Sequence, residues 1–141
     1  MNVLSVDPGE KVGVCLWSDG VELFRRIVHL EKLPLFLMEH TDTVLSTIVY
    51  EDYIGYAAQS HNGRQTGSRF VAAQAIGMLK MFAIPRNIEL VRQPSGILRI
   101  AAMHSGTKIP AKGHIPDEVS AYLHGFYYLE TQRLLVERKS W

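Results

Sequence analysis

The sequence predicts an α/β fold in which a mixed five-stranded sheet is flanked by helices. Three strand-like segments joined by short turns open the chain, which is typical of an antiparallel meander. The later strand-like segments alternate with helical ones, which indicates parallel strands joined by helical crossovers. The chain has 141 residues, enough for one hydrophobic core and too few for two, so we expect residues 1–141 to form a single domain.

Five segments are predicted as strands from their apolar and β-branched residues and from the turn residues between them. The turns that join the first three are Pro8-Gly9 and Ser18-Asp19-Gly20. Glu51 follows the fourth strand directly. The predicted strands are 2–7, 12–17, 21–29, 44–50 and 88–91.

Four segments are predicted as helices from their apolar spacing and their start signals. They are 30–40, 69–83, Pro94 to about His104, and about Pro116 to Glu137. Two loops lie between them: residues 57–68 are polar and glycine-punctuated, and residues 105–113 are basic.

Basic residues are concentrated in the middle of the chain, although the net charge is only +1. Residues 1–60 carry a net charge of −5 and residues 114–141 carry −1. Residues 61–113 contain eight Lys or Arg and one Glu, a net charge of +7. An uncompensated basic segment favours a polyanionic partner, and the alternative is a solvated face balanced by acidic neighbours in space.

The composition favours a cytoplasmic protein with no membrane association. Cys15 is the only cysteine, so no internal disulfide can form, and we expect it to be a small buried residue of a strand. No apolar run approaches the roughly 20 residues that a membrane helix needs. The first seven residues lack the basic start of a signal peptide and reach a carboxylate at once.

Acidic residues occur where strands end and where the last helix begins. Asp7 ends the first strand, Glu51 ends the fourth, and Asp117 and Glu118 open the final helix. Two carboxylates on neighbouring parallel strands repel each other unless a cation lies between them. Oxygen ligands suit Mg²⁺ or Mn²⁺, and two such ions about 4 Å apart can hydrolyse a phosphodiester. Turn capping by Asp7 and a helix-start role for Asp117 and Glu118 remain alternatives.

Three motifs together resemble those of RuvC-type Holliday junction resolvases. SVDPGEKVGVCLW resembles their opening: a strand, Asp-Pro-Gly, and a second strand that contains Gly. TIVYEDYIG resembles their second motif, in which the catalytic Glu ends the fourth strand. GHIPDEVSAYLHGFYYL resembles their last motif, in which a His or Asp precedes an Asp by three positions at the start of the final helix. The order and spacing agree across nearly the whole chain.

The resemblance implies an RNase H-like fold, a homodimer, and paired nicks in four-way DNA junctions that depend on Mg²⁺ or Mn²⁺. It also implies that four residues are catalytic and bind two metal ions, with Asp7 bridging both ions. These residues are Asp7, Glu51, His114 and Asp117. The short chain is more like phage-encoded members than bacterial ones, which places it in the cytoplasm of a bacterium or a phage-infected host.

The fourth ligand has two candidates, His114 and Glu118. The family often has Ala where this chain has Glu118. We expect Pro116 at the first helical position, which leaves His114 just outside the helix and able to fold back toward the site. Asp117 and Glu118 lie about 100° apart around the helix axis, so only one of them can point squarely at the site. We assign Asp117 with His114 and keep Glu118 as the alternative.

Basic residues around the last two motifs are expected to bind the DNA backbone. These residues are Arg64, Arg69, Arg99, Lys108 and Lys112. We expect His124, about 10 Å along the helix from Asp117, to pack or to face DNA rather than to bind the same metal. Helix 69–83 is expected to form the dimer interface, and the alternative is that this helix only packs on the sheet. Its small residues would allow close approach and its apolar residues would fill the contact: Ala72, Ala73 and Gly77, with Phe70, Met78, Met81 and Phe82.

Other functions are compatible with part of the pattern. One alternative is another RNase H-like nuclease, acting on RNA–DNA hybrids or on branched DNA in general. A second is a non-catalytic nucleic-acid-binding module, which the retained acidic residues disfavour. A sugar kinase or actin-like ATPase also has Asp-x-Gly after a strand, but that fold needs two lobes and 141 residues leave no room for them.

Overall fold

A mixed sheet forms the centre of the fold. Its strands are β1 (Asn2–Asp7), β2 (Lys11–Ser18), β3 (Val21–His29), β4 (Leu45–Glu51) and β5 (Glu89–Gln93). The computed structural model describes residues 1–40, 44–52 and 67–136, and in these residues the strand order is β3-β2-β1-β4-β5. β2 pairs antiparallel with β1 and β3, whereas β4 pairs parallel with β1 and β5. The predicted antiparallel start and parallel continuation are confirmed.

Helices cover both faces of this sheet. They are α1 (Leu33–Glu39), α2 (Gly67–Ala83), α3 (Leu98–Ser105) and α4 (Asp117–Thr131). Short 3₁₀ turns precede α1, follow α2 and precede α3, at Leu30–Lys32, Ile84–Arg86 and Ser95–Ile97. Over the ranges that the structure describes, none of the helices has the length and apolar character needed to span a bilayer.

Side chains alternate between the two faces of the sheet, because successive residues of a strand point to opposite sides. The face covered by α1 and α2 includes Leu4, Val6, Val14, Ile48 and Tyr50. The face covered by α4 includes Val3, Cys15, Trp17 and Val49. Cys15 is fully buried there, as expected, and burial raises the pKa of its thiol, which keeps it protonated.

The final helix ends earlier than its predicted end at residue 137. Arg133 adopts a left-handed conformation with φ of 56°, and its N–H donates to Glu130 O. The N–H of Leu134 donates to Leu129 O at 2.8 Å. These two bonds form a Schellman motif, which usually places Gly at the left-handed position. Because Arg occupies that position, the sequence contains no stop signal, and the prediction overran by six residues.

Two predicted helix starts are also corrected. α2 begins at Gly67 rather than at residue 69, so the last two residues of the predicted polar loop are helical. The rest of that loop, residues 57–66, lies outside the described residues. Pro116 is the N-cap of α4 and not its first helical residue, and its carbonyl accepts the N–H of Ser120 at 2.9 Å.

Candidate active site

Asp7 and Glu51 end neighbouring parallel strands. Val6 of β1 is in register with Tyr50 of β4, so Asp7 and Glu51 are the next residues on adjacent strands, which lie about 4.8 Å apart. The alternation of side chains directs both of them to the α4 face. Their exposed fractions are only 4% and 3%. Two carboxylates are therefore buried side by side at one edge of the sheet.

Gly13 brings the start of α4 against this edge. It is paired with Asp7 across the β1–β2 ladder. A Cβ atom at Gly13 would overlap the backbone carbonyl group of Asp117. The missing side chain thus lets the first turn of α4 lie directly on β2, beside the strand end that carries Asp7.

His114 contacts Asp117 as the motif predicted. His114 Nε2 lies 3.3 Å from Asp117 Oδ1, with side-chain exposures of 78% and 22%. Desolvation raises the pKa of Asp117, and the attraction to His114 acts in the opposite direction. His114 lies outside the helix, as expected. The imidazole and the carboxylate form a second pair of potential ligands at the same end of the sheet.

His124 packs in the interior, which is one of the two places expected for it. It is fully buried, so the alternative of a DNA-facing side chain is excluded. Its Nε2 lies 3.6 Å from Glu51 Oε1, and its Nδ1 is 2.9 Å from Oε1 of Gln93, the residue of β5 in register with Glu51. The prediction located His124 only along the helix axis from Asp117. It could not include the neighbouring strands that the helix crosses two turns later.

The candidate ligands come together in two pairs, Asp7 with Glu51 and His114 with Asp117. Within residues 1–40, 44–52 and 67–136, no group of three or more His, Cys, Asp or Glu side chains is arranged to hold a metal ion. The chemistry of the donors nevertheless fits Mg²⁺ or Mn²⁺, because carboxylates supply hard oxygen ligands and one imidazole is tolerated by Mn²⁺. The residues that could hold such an ion are Asp7, Glu51, His114 and Asp117.

Glu118 is the next residue after Asp117 in α4 and is the other candidate for the fourth ligand. Its side chain is partly buried, and its Oε2 atom has no hydrogen-bond partner among the described residues. Asp117 has a contact with His114, whereas no such contact links Glu118 to His114 in the described part of the chain. This geometry favours the assignment of Asp117 with His114, and Glu118 remains the alternative to His114.

The basic residues proposed to bind DNA differ in the contacts that their side chains make within the protein. Lys108 and Lys112 are exposed on the loop between α3 and α4, the loop that leads to His114. Arg99 is exposed on α3, and its Nη2 donates to Ala111 O at 3.1 Å, which ties this loop to the helix. Arg64 and the side chain of Arg69 lie outside the described residues.

Comparison with known proteins supports the fold assignment. No protein-family model matches the chain, and no curated protein sequence matches it. Thermus thermophilus RuvC in complex with a Holliday junction substrate superposes with a TM-score of 0.63 and 12% identity, over 92% of this chain and 96% of that chain. A second structure of the same Thermus thermophilus protein gives a TM-score of 0.57 and 14% identity, over 93% and 97% of the two chains. The chain has the RNase H-like fold in its RuvC-type form.

Proposed function

We propose that this protein is a metal-dependent endonuclease that resolves four-way DNA junctions. The observation that carries the proposal is the burial of Asp7 and Glu51 at adjacent strand ends, beside the helix start that bears Asp117. A structural role alone would not require two carboxylates at this point of an apolar sheet, where burial of charge is costly. The structural similarity to RuvC, solved in complex with a Holliday junction substrate, supports the same function.

Asp7, Glu51, Asp117 and His114 would hold two Mg²⁺ or Mn²⁺ ions. Such ions activate water and stabilise the leaving oxygen of a phosphodiester. The protein supplies the charge that binds them: Asp7 and Glu51 come from rigid strands, and Asp117 comes from the first turn of α4. Side chains on regular elements hold their positions more tightly than side chains on loops, which suits a site that must orient a phosphate.

The DNA backbone would lie along the loop between α3 and α4. Lys108 and Lys112 are exposed there, and Arg99 shapes the loop through its bond to Ala111 O. Arg64 and Arg69 belong to the same basic segment of the sequence and are proposed as further phosphate contacts. Phosphate contacts provide affinity that does not depend on sequence, which suits recognition of a branched structure.

A homodimer would supply two active sites for two strands. The expected interface on α2 needs one correction, because Ala72 and Phe82 are buried against the sheet and Met78 packs on the same core. The outer face of this helix keeps Phe70, Ala73, Gly77 and Met81, with Phe70 57% and Met81 78% exposed. We assign the dimer contact to this outer face of α2.

The test is cleavage of a labelled four-way junction in Mg²⁺, beside linear duplex, a flap and an RNA–DNA hybrid. The proposal predicts paired nicks near the branch point of the junction and little cleavage of linear duplex. Preferred cleavage of the hybrid would make the protein another type of RNase H-like nuclease. Tight junction binding without cleavage in Mg²⁺ or Mn²⁺ would make it a binding module.

A further inference from the structure

Three buried polar side chains meet where α4 crosses β4 and β5. They are Glu51, Gln93 and His124, with exposed fractions of 3%, 6% and 0%. Gln93 is held beside the strand end of β4, because its carbonyl accepts the N–H of Asp52 at 2.8 Å. Burial of polar groups costs free energy unless they are hydrogen-bonded, so their arrangement is constrained.

The imidazole of His124 lies between the other two side chains. Nδ1 is 2.9 Å from Gln93 Oε1, and Nε2 is 3.6 Å from Glu51 Oε1. Nε2 is buried and has no hydrogen-bond partner among the described residues. A shift of about 0.5 Å would bring Nε2 and the Glu51 carboxylate within hydrogen-bond distance.

The amide of Gln93 determines which ring nitrogen carries the proton. With its oxygen toward Nδ1, a neutral ring has an N–H at Nδ1 and directs the lone pair of Nε2 at a carboxylate. With its NH₂ group toward Nδ1, the ring accepts at Nδ1 and donates from Nε2 to Glu51. The second arrangement gives both ring nitrogens a partner and avoids a lone pair facing an anion.

We propose that His124, oriented by Gln93, is a positioning residue that holds the Glu51 carboxylate in place for metal binding. This inference rests on the proposed function, because it assumes that Glu51 binds the metal. A carboxylate has two oxygens with about four lone pairs, so a hydrogen bond from His124 is compatible with coordination of an ion. Groups that orient metal ligands typically change metal affinity or activity 10- to 100-fold when they are replaced.

The position of His124 on α4 links the two halves of the site. Asp117 and His124 are seven residues apart, almost two full turns, so they lie on the same side of the helix. Asp117 lies over Gly13 of β2, and His124 reaches Glu51 and Gln93 of β4 and β5. One helix therefore fixes the position of Asp117 and, through His124, the orientation of the Glu51 carboxylate.

The test compares two amide variants, His124→Asn and His124→Gln. The amide nitrogen of Gln reaches about as far as Nε2 of His and keeps a donor for Glu51, whereas the amide of Asn reaches only the Nδ1 position. Mn²⁺ affinity is measured by calorimetry without DNA, junction affinity without metal, and junction cleavage at several Mg²⁺ concentrations. Thermal melting verifies that each variant is folded.

We expect His124→Asn to weaken Mn²⁺ binding about 10-fold or more, to raise the Mg²⁺ needed for cleavage, and to leave junction affinity unchanged. His124→Gln should recover most of the lost metal affinity. Wild-type Mn²⁺ affinity in folded His124→Asn, or equal loss in both variants, would overturn the proposal. Absence of Mn²⁺ binding in the wild-type protein would instead overturn the metal site of the proposed function.

Gln93→Met keeps the test decisive if the His124 variants do not fold. Methionine has a similar volume and removes the amide that orients the ring, while His124 itself is retained. We expect a smaller loss of Mn²⁺ affinity, about 3- to 10-fold, in the same direction. Unchanged affinity in a folded Gln93→Met protein would contradict the role given to Gln93 and His124.

Discussion

Two residues are candidates to bind the metal together with Asp117. One has an imidazole side chain and the other a carboxylate. His114 is exposed and contacts Asp117 at 3.3 Å, whereas Glu118 is partly buried on the next position of α4. Imidazole nitrogen favours Mn²⁺ over Mg²⁺ more than a third carboxylate would. The metal preference of the protein therefore reports which of the two residues completes the proposed site.

We expect His114→Ala to reduce cleavage about 10- to 100-fold and to lower the advantage of Mn²⁺ over Mg²⁺. Glu118→Ala, the matched control from the adjacent position, should retain activity within about 3-fold. Single-turnover rates on a labelled junction in each metal make the comparison. Loss of activity in Glu118→Ala with retention in His114→Ala would reverse the assignment.

The positions of Asp7 and Glu51 at strand ends could be predicted, because each carboxylate directly ends an apolar run. The closeness of His114 to Asp117 follows from their spacing of three residues at a helix start, and the role of these residues as metal ligands stays a prediction. His124 could not be placed, because its contact with Glu51 depends on the path of a helix across the sheet. Contacts between elements distant in sequence are not encoded in the spacing of residues along one of them.

The position of α4 depends on small residues, both in the strand that the helix packs against and in the helix itself. A Cβ at Gly13 of β2 would overlap the backbone of Asp117, and a Cβ at Gly125 of α4 would overlap the indole of Trp17. Ala121 lies between these two points and is fully buried. The stripe of Asp117, Ala121 and Gly125 therefore approaches the sheet closely.

Gly13→Ala should separate the start of α4 from β2. The clash is with backbone atoms, which cannot rotate away, so we expect a loss of about 1–3 kcal/mol in the free energy of unfolding. Cleavage should fall as well, because Asp117 would move away from Asp7. The free energy is measured by urea denaturation.

Gly96→Ala is the matched control, since nothing lies within 4 Å of the Cβ that it would add. The free energy of unfolding of that variant should lie within about 0.5 kcal/mol of the wild-type value. Wild-type stability and activity in Gly13→Ala would show that α4 does not depend on this contact.

Boundaries of elements were predictable where the sequence carries a stop or start signal. The five strands were predicted within two residues at each end, because turn residues separate the first three and predicted helices precede the other two. The end of α4 was missed because Arg133 takes the left-handed position that Gly usually fills. A backbone conformation held by hydrogen bonds to Leu129 and Glu130 leaves no trace in local composition.

Exposed lysines lie on two opposite sides of the molecule. Lys108 and Lys112 are exposed on the loop that leads into the candidate site, and Lys80 is exposed on α2, on the opposite face of the sheet. Lys32 is exposed in the 3₁₀ turn before α1, also on that opposite side. If the loop binds DNA, removal of the loop lysines will lower junction affinity, whereas removal of a lysine from the other side will not.

Lys108→Ala with Lys112→Ala should weaken junction binding and flatten its salt dependence. Each lost phosphate contact lowers the slope of log affinity against log salt by about 0.9, so two contacts correspond to about 1.8. Lys32→Ala removes charge from the other side, outside the helix assigned to the dimer contact, and should leave the slope nearly unchanged. A wild-type slope in the Lys108 and Lys112 double variant would place the DNA surface elsewhere.

The dimer prediction concerns the outer face of α2. Met81→Asp introduces a charge where 78% of the side chain is exposed in the single chain, so it should cost little stability but disrupt a dimer. Met103→Asp on α3, where exposure is 73%, is the control. Sedimentation equilibrium at micromolar concentration should give a dimer for wild type and Met103→Asp, and a monomer for Met81→Asp. A monomeric wild-type protein with full resolving activity would contradict the prediction.

We propose that the buried carboxylates at the strand ends bind metal and that junction cleavage depends on them. This is tested by the rate at which wild type and Asp7→Asn cleave a labelled four-way junction in Mg²⁺, with junction affinity measured in parallel. Asn keeps the size of Asp and removes the charge, so we expect cleavage to be abolished and binding to be retained. Cleavage by Asp7→Asn at a near-normal rate would contradict the assignment of the site.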